Sequence, residues 1–123
     1  MFLQITSRIV DGIMVVDIAG ELSRRASSLA KPLKEILEPG HSDLILNMAE
    51  ISYVDSSGLG QLITVWTSIG NRRGHFILVN PSRRVLAQLE MTKLDTVFSI
   101  VEDEAEAIRR IQKTVAARTL SNA

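Results

Sequence analysis

The chain has 123 residues, enough for one domain with a substantial hydrophobic core but not for two. Its fourteen basic and fourteen acidic residues give a formal net charge of zero, so it lacks the positive charge expected of a protein that binds nucleic acid or an anionic membrane. It contains no cysteine, which excludes disulfides, thiolate metal sites and thiol nucleophiles.

The start of the chain predicts a β-hairpin. Apolar and polar residues alternate from Leu3 to Ile9, and a nearly continuous apolar run, 13–18, follows the pair Asp11-Gly12. Asp-Gly between two such runs is a strong hairpin signal because both turn residues must accept a positive φ. We therefore expect strands one and two to be antiparallel neighbours, and we expect the second strand to be covered on both faces.

Helical and strand-like segments alternate in the middle of the chain. An apolar stripe over 29–37 predicts a helix that begins about a turn before Pro32 or kinks there, and that Pro39-Gly40 ends. The next elements are a strand at 44–46, a second helix that carries Trp66 in its buried stripe and has a glycine-capped end at 71–74, and a strand at 76–79.

The last third of the chain predicts two more helices and a strand. The turn at 80–82 caps a short helix, and a strand follows at 96–101. Asp103 and Glu106 resemble a capping box at the start of the final helix. No helical pattern continues beyond Arg118.

The order of these elements predicts an α/β fold. We expect a single domain over residues 1–118, with a mixed, mostly parallel sheet of about five strands that an antiparallel hairpin opens, about four helices, and a flexible tail at 119–123. The first residues lack a signal peptide, and no apolar run approaches the roughly 18 residues that a membrane span needs. We therefore expect a cytoplasmic protein without direct membrane insertion.

The segment between the third strand and the second helix carries the strongest functional signal. Free N–H groups and the positive end of the helix dipole favour an anion such as phosphate there. Ser56 and Ser57 supply two hydroxyls, and Gly58 and Gly60 lack side chains that would keep another molecule away from the backbone. We expect this segment to lie at the carboxyl edge of the sheet, where α/β proteins tend to bind ligands and partners.

The six residues Asp55-Ser56-Ser57-Gly58-Leu59-Gly60 resemble the signature of STAS domains of the bacterial anti-sigma factor antagonist family. In this family a partner kinase phosphorylates the second serine. Gly20-Glu21-Leu22 and Pro81-Ser82 support the resemblance, which covers roughly residues 3–115. The resemblance implies a STAS-like fold, phosphorylation at Ser57, and a partner-binding surface made of Ser23, Arg24, Asp55, Ser56, Ser57, Gly58, Leu59 and Gly60.

The resemblance also implies partners. One is a protein that is both an anti-sigma factor and a serine kinase with an ATPase fold like that of histidine kinases, and the other is a phosphatase that resets the switch. The domain itself would be neither an enzyme nor a cofactor carrier. In the family an aspartate commonly follows Gly-Glu-Leu and helps to engage the kinase, whereas Ser23 stands here, followed by Arg24-Arg25. These three residues could change the choice of partner or attract the phosphate.

Other roles for this segment fit the residues to different degrees. Ser57 could be a plain helix N-cap, and Asp55 could cap the helix or orient the phosphoryl group. A dinucleotide site needs a third small residue where Ile63 stands, and a serine hydrolase needs glycines at 55 and 59 and a histidine base, with only His41 and His75 available. The same fold could also serve another client, as a stressosome scaffold or a lipid-transport subunit, or bind a small ligand such as a nucleotide.

Overall fold

Strands and helices alternate along the chain in this computed structural model, which describes residues 2–37 and 40–121 and side chains up to residue 117. The described elements are β1 (Leu3–Val10), β2 (Ile13–Leu22), α1 (Ala30–Leu37), β3 (Leu44–Val54), α2 (Ser56–Asn71), β4 (Phe76–Val79), α3 (Arg83–Met91), β5 (Ser99–Val101) and α4 (Glu104–Ser121). A 3-10 turn at Leu94–Thr96 precedes β5.

The strands form one sheet in the order β1-β2-β3-β4-β5. β1 and β2 are antiparallel, and the other neighbouring pairs are parallel. Asp11 and Gly12 occupy the hairpin turn with φ values of 51° and 80°, as their dipeptide signal predicts. The predicted mixed sheet, opened by an antiparallel hairpin, is confirmed.

The central strands are covered on both faces, as the unbroken apolar run of β2 predicts. On one face Val16 packs in a core with residues from α1, α2 and α3, and on the other face Val15 packs with residues from α4. Side chains of a strand alternate between the two faces, so a strand covered on both sides must be apolar throughout. Among the described helices, none is both long and apolar enough to cross a membrane.

β3 extends well beyond the part of it that pairs with β4. The last residue of β3 that pairs with β4 is Asn47, opposite Val79, and β3 continues to Val54. Seven further residues at about 3.3 Å each carry the end of β3 roughly 20 Å past the end of β4. Gln88 of α3 supports this extension by donating a hydrogen bond from Nε2 to the carbonyl of Val54 at 2.6 Å.

β3 is much longer than the segment 44–46 that the sequence predicts. Two register shifts against β2 each insert an extra residue into β3, so the strand buries Met48, Ile51 and Val54 at a spacing of three. An extra residue in one strand breaks the alternation of buried and exposed side chains. The strand pattern is therefore lost from the sequence although the strand continues.

Proline and glycine act differently at the two helix ends where they were expected to matter. Pro32 lies in the first turn of α1, where its missing N–H is tolerated, so the helix begins just before it. Pro39, expected to end this helix, lies outside the described residues. At the end of α2 the left-handed position belongs to Arg73, with φ 57°, so the prediction of a glycine cap is wrong.

Gly74 has another role at that end of α2. A Cβ atom on Gly74 would lie 1.7 Å from the carbonyl oxygen of Ser42, in the segment that leads into β3. The backbone N–H of Gly74 donates to the carbonyl of Ile69 at 2.9 Å, which completes the helix end. Glycine is therefore required there by the close approach of two backbone segments.

The buried face of α2 differs from the predicted stripe. The residues that face the sheet are Gly58, Leu62, Val65 and Ile69. Trp66 is 42% exposed and Ile63 is 39% exposed, so the prediction that Trp66 belongs to the core is wrong. The buried residues of α2 and the exposed pair Ile63 and Trp66 both recur at helical spacing. The sequence pattern therefore cannot tell which set the sheet covers.

The end of the chain departs from the prediction in three places. The segment 96–101 begins as the end of a 3-10 turn, and only its last three residues form β5. Asp103 caps α4, since its Oδ1 accepts the N–H of Glu106 at 2.8 Å, but the carboxylate of Glu106 pairs with Arg110 instead of completing a capping box. α4 continues through 119–121, within the predicted tail, and residues 122–123 lie outside the described part.

Candidate functional site: the serine tip at the end of β3

The serine tip, residues 55–60, joins the projecting end of β3 to the first turn of α2. Asp55 has an extended backbone and is the N-cap of α2, and its Oδ1 accepts the N–H of Gly58 at 2.9 Å. Ser56 and Ser57 are the first two helical residues. The expectation that Asp55 caps the helix is confirmed, and the alternative in which Ser57 is the cap is wrong.

The two serines face solvent. Both residues are exposed, and in the described part of the chain no side chain or backbone group forms a hydrogen bond with the hydroxyl of Ser57. Their backbone positions lie in the first turn, where the N–H groups of a helix lack partners within the helix. Asp55 accepts the N–H of Gly58 and interacts with that of Ser57, so the tip presents chiefly its hydroxyls to solvent.

Asp55 also fixes the loop that follows β2. Its Oδ2 accepts the N–H of Arg24 at 3.1 Å, and its own N–H donates to the carbonyl of Leu22 at 3.1 Å. The carboxyl ends of β2 and β3 are neighbours because Leu22 pairs with Val54. The expectation that Arg24-Arg25 lies next to the serine tip is confirmed.

The carboxylate of Asp55 is stabilised by backbone donors. The N–H of Arg24, followed by the N–H of Gly58, lowers the pKa of Asp55 because both hydrogen bonds favour the charged form. Asp55 therefore stays ionised at neutral pH. Its two carboxylate oxygens are occupied by the backbone N–H groups of Arg24 and Gly58.

Gly58 is part of the interior, which corrects the prediction that it keeps the surface open for a partner. A Cβ atom on Gly58 would lie 2.0 Å from the carbonyl oxygen of Leu22, and the residue is buried. Replacing Gly58 must therefore disturb the fold before it disturbs any docking. Gly60 is exposed, and a Cβ atom on it would meet nothing within 4 Å, so it alone of the two leaves space on the outer surface of the tip.

Ser23 is also an interior residue. It is 2% exposed, its Oγ donates to Oε1 of Glu21 at 3.1 Å, and the same Oγ accepts the N–H of Arg25 at 3.3 Å. The expectation that Ser23 contacts a partner directly is therefore corrected, because the side chain shapes the loop from within. Leu59 is half-buried and packs against the core. The predicted contact residues that are exposed are Arg24, Ser56, Ser57 and Gly60.

Tyr53 and Arg84 belong to the same surface although the sequence did not indicate them. The guanidinium carbon of Arg84 lies 5.5 Å from the centre of the Tyr53 ring, a cation–π contact. Tyr53 lies in the unpredicted part of β3, and Arg84 lies in the first turn of α3. An open pocket of about 500 Å³ adjoins the tip and is lined by Glu21, Ser23, Arg24, Arg25, Tyr53 and Asp55.

The two histidines lie at the amino ends of β3 and β4, at the opposite end of these strands from the serine tip. His75 precedes β4 and its Nδ1 is 3.0 Å from Oδ1 of Asp43, while His41 precedes β3. The eleven residues of β3, about 35 Å of extended chain, separate that end from Ser57. Neither histidine can act as a base for Ser57, and the described residues contain no group of three side chains suited to a metal ion.

Comparison with known families agrees with this geometry. The sequence profile of the STAS domain family matches residues 4–107, which include the serine tip and all of the sheet except Leu3. The chain belongs to the STAS domain family. The anti-sigma-B factor antagonist of Bacillus subtilis is 31% identical to this STAS domain over 86 residues, covering 69% of this chain and 78% of that protein.

Solved structures show the same fold. A crystal structure of an anti-sigma factor antagonist from Mycobacterium paratuberculosis matches with a TM-score of 0.79 at 20% identity, covering 89% of this STAS domain and 94% of that chain. The anti-sigma factor antagonist SpoIIAA in its unphosphorylated form matches with a TM-score of 0.64 at 25% identity, covering 89% and 98%. The predicted fold and family are confirmed.

Proposed function

We propose that this STAS domain is an anti-sigma factor antagonist that phosphorylation of Ser57 switches off. In its unmodified state the domain binds a cytoplasmic partner that is both an anti-sigma factor and a serine kinase, and this binding frees a sigma factor. The kinase transfers the γ-phosphoryl group of ATP to Oγ of Ser57, which releases ADP and the hydroxyl proton. A phosphatase later removes the phosphate.

The observation that carries this proposal is that Asp55 already caps α2. With the N–H of Gly58 bonded to Asp55, helix capping no longer explains the exposed hydroxyl of Ser57 beside it. Ser57 lies on a projecting tip that a kinase active site can reach without unfolding the domain. The names of the relatives support the same role, since they are anti-sigma factor antagonists and one was solved in a form described as unphosphorylated.

The proposed switch works through charge at the tip. A phosphate on Ser57 adds about −1.5 to −2 charges, which the N-terminus of α2 stabilises without any rearrangement of the fold. Burying that charge in an interface carries a desolvation cost, and each 1.4 kcal/mol of such cost weakens binding about tenfold. The phosphorylated domain therefore dissociates from its partner.

The test is phosphate transfer from ATP in a lysate of the native cells, with the site located by fragmentation of the peptide that contains both serines. We expect one phosphate on the wild type, the same on Ser56→Ala, and none on Ser57→Ala. The two variants are matched, because each removes one exposed hydroxyl from the first turn of α2. Phosphate on Ser56, or on neither serine, contradicts the proposal and favours a constitutive interaction module with another client.

A further inference from the structure

We propose that the pocket beside the serine tip binds an acidic segment of the partner protein, and that phosphorylation of Ser57 reverses this charge preference. The second half of the proposal rests on the proposed function. The first half rests only on the charged groups around the pocket, which are exposed arginines from the loop after β2 and from α3, and two carboxylates that the protein itself hydrogen-bonds.

The positive groups come from the loop after β2 and from α3. Arg24 and Arg25 line the pocket, and Arg84 lies against the ring of Tyr53, which lines it as well. All three arginines are exposed. Guanidinium groups keep their charge at any physiological pH and bind carboxylates through paired N–H donors.

The negative groups of the pocket are bonded from within the protein. Oε1 of Glu21 accepts the hydroxyl of Ser23, and the carboxylate of Asp55 accepts backbone N–H groups of Arg24 and Gly58. Three arginines and two carboxylates leave a net charge of +1 at this surface. The N-terminus of α2 adds about half a positive charge.

The acidic residues that follow β5 lie too far away to cancel this charge. Val101 pairs with Val79, which pairs with Asn47, so Glu102 and Asp103 lie roughly 20 Å short of the tip along the sheet. This distance exceeds two Debye lengths at physiological salt. The five charged side chains at the pocket are therefore net positive although the whole chain is neutral.

A partner that docks on this surface gains most by presenting carboxylates to the pocket. The pocket is open and has room for one or two side chains, and its arginines are the groups that such side chains would meet first. A phosphate of about −1.5 to −2 on Ser57 changes the summed charge of these five side chains and Ser57 from +1 to between about −0.5 and −1. An acidic partner surface is then repelled, so phosphorylation weakens binding of the partner.

The probe is a synthetic hexaglutamate peptide, titrated into unmodified protein at low salt and followed through backbone amide shifts in ¹H–¹⁵N NMR spectra. We expect shifts centred on Arg24, Arg25, Tyr53 and Arg84, and we expect none there with hexalysine. In the double variant Arg24→Glu/Arg25→Glu the Kd should rise at least about tenfold. The hydrogen bond to Asp55 survives this change because it comes from the backbone of residue 24.

The matched control is Arg109→Glu/Lys113→Glu. It alters the net charge by the same amount on exposed positions of α4, which lies on the other face of the sheet. The control should bind hexaglutamate like the wild type, and Ser57→Asp should bind it more weakly than Ser57→Asn. Equal affinity of the two double variants, or shifts spread over all basic surfaces, would overturn the proposal.

A competing ligand is tested in the same experiment. If ATP moves the same amide signals at lower concentration than hexaglutamate does, the pocket is a nucleotide site and the proposal of an acidic protein partner is wrong. These titrations need neither a kinase nor phosphate on Ser57. A negative phosphorylation assay would therefore contradict the proposed switch at Ser57 alone, whereas negative titrations would contradict the acidic-partner pocket alone.

Discussion

The two ends of helix α2 are attached to the sheet by the same kind of contact. At its start Asp55 accepts the backbone N–H groups of Arg24 and Gly58, and beyond its end Asp43 accepts the backbone N–H of His75 at 2.8 Å and contacts its Nδ1 at 3.0 Å. In both places an aspartate at one end of β3 holds a neighbouring loop. One carboxylate thereby fixes two segments of chain.

A glycine packs against a carbonyl oxygen at each of these ends. The Cβ position of Gly58 is 2.0 Å from the oxygen of Leu22, and that of Gly74 is 1.7 Å from the oxygen of Ser42. The two ends differ in what they leave exposed. At the start of α2 the exposed hydroxyls of Ser56 and Ser57 take no part in this attachment, which separates the groups that build the tip from those available to a partner.

The largest expected effect follows replacement of either packed glycine. Gly58→Ala and Gly74→Ala each place a methyl group inside the van der Waals radius of a backbone oxygen, so the strands and the helix must move apart. We expect each variant to lose about 3 kcal/mol of unfolding free energy, measured by urea denaturation. A loss below about 1 kcal/mol in either variant would mean that this end of α2 is not held as the structure indicates.

A smaller effect follows removal of either aspartate. Asp55→Ala leaves two backbone N–H donors without their acceptor, and Asp43→Ala removes the acceptor of the His75 N–H together with the contact to its Nδ1. We expect Tm to fall by roughly 5 °C in both at pH 7. For Asp55 the folded pKa lies below the unfolded value, so its stabilisation is present above about pH 4 and is lost as pH falls through the folded pKa. The Tm gap between wild type and Asp55→Ala should therefore shrink in acid, and a gap that widens there contradicts this origin.

The smallest effect concerns Gly60 and Gly70, the two glycines of α2 that have space for a side chain. It also separates the two ends of α2 most sharply. A Cβ on Gly60 or on Gly70 meets nothing within 4 Å, so Gly60→Ala and Gly70→Ala should each stabilise the protein by about 0.5–1 kcal/mol. If the proposed kinase partner docks on the serine tip, Gly60→Ala should also weaken its binding and Gly70→Ala should not, because of the two only Gly60 belongs to the tip. Identical binding by the two variants would place the interface elsewhere.

Local chemistry made much of the fold and of the tip predictable from the sequence. The Asp11-Gly12 turn, the cap by Asp55 and the cap by Asp103 depend on a few neighbouring residues, and all three are confirmed. The proximity of Arg24 to the serine tip was also predictable, because β2 and β3 are parallel neighbours and their carboxyl ends therefore lie side by side.

Other features depend on segments that are distant in sequence. Gly58 is required by the carbonyl of Leu22, Ser23 is buried by its surroundings, and Trp66 is exposed because the sheet covers the opposite side of α2. The last part of β3 was missed because register shifts destroy its alternation. Tyr53 joins the site only because that extension exists and α3 packs against it.

The central claim is tested most directly by the affinity of the domain for its proposed partner kinase. This affinity is measured by calorimetric titration of the unmodified and the phosphorylated protein, with Ser57→Ala and Ser57→Asp alongside. We expect the unmodified protein and Ser57→Ala to bind alike, and the phosphorylated protein and Ser57→Asp to bind at least about tenfold more weakly. Equal affinity of the unmodified and phosphorylated proteins would contradict the switch.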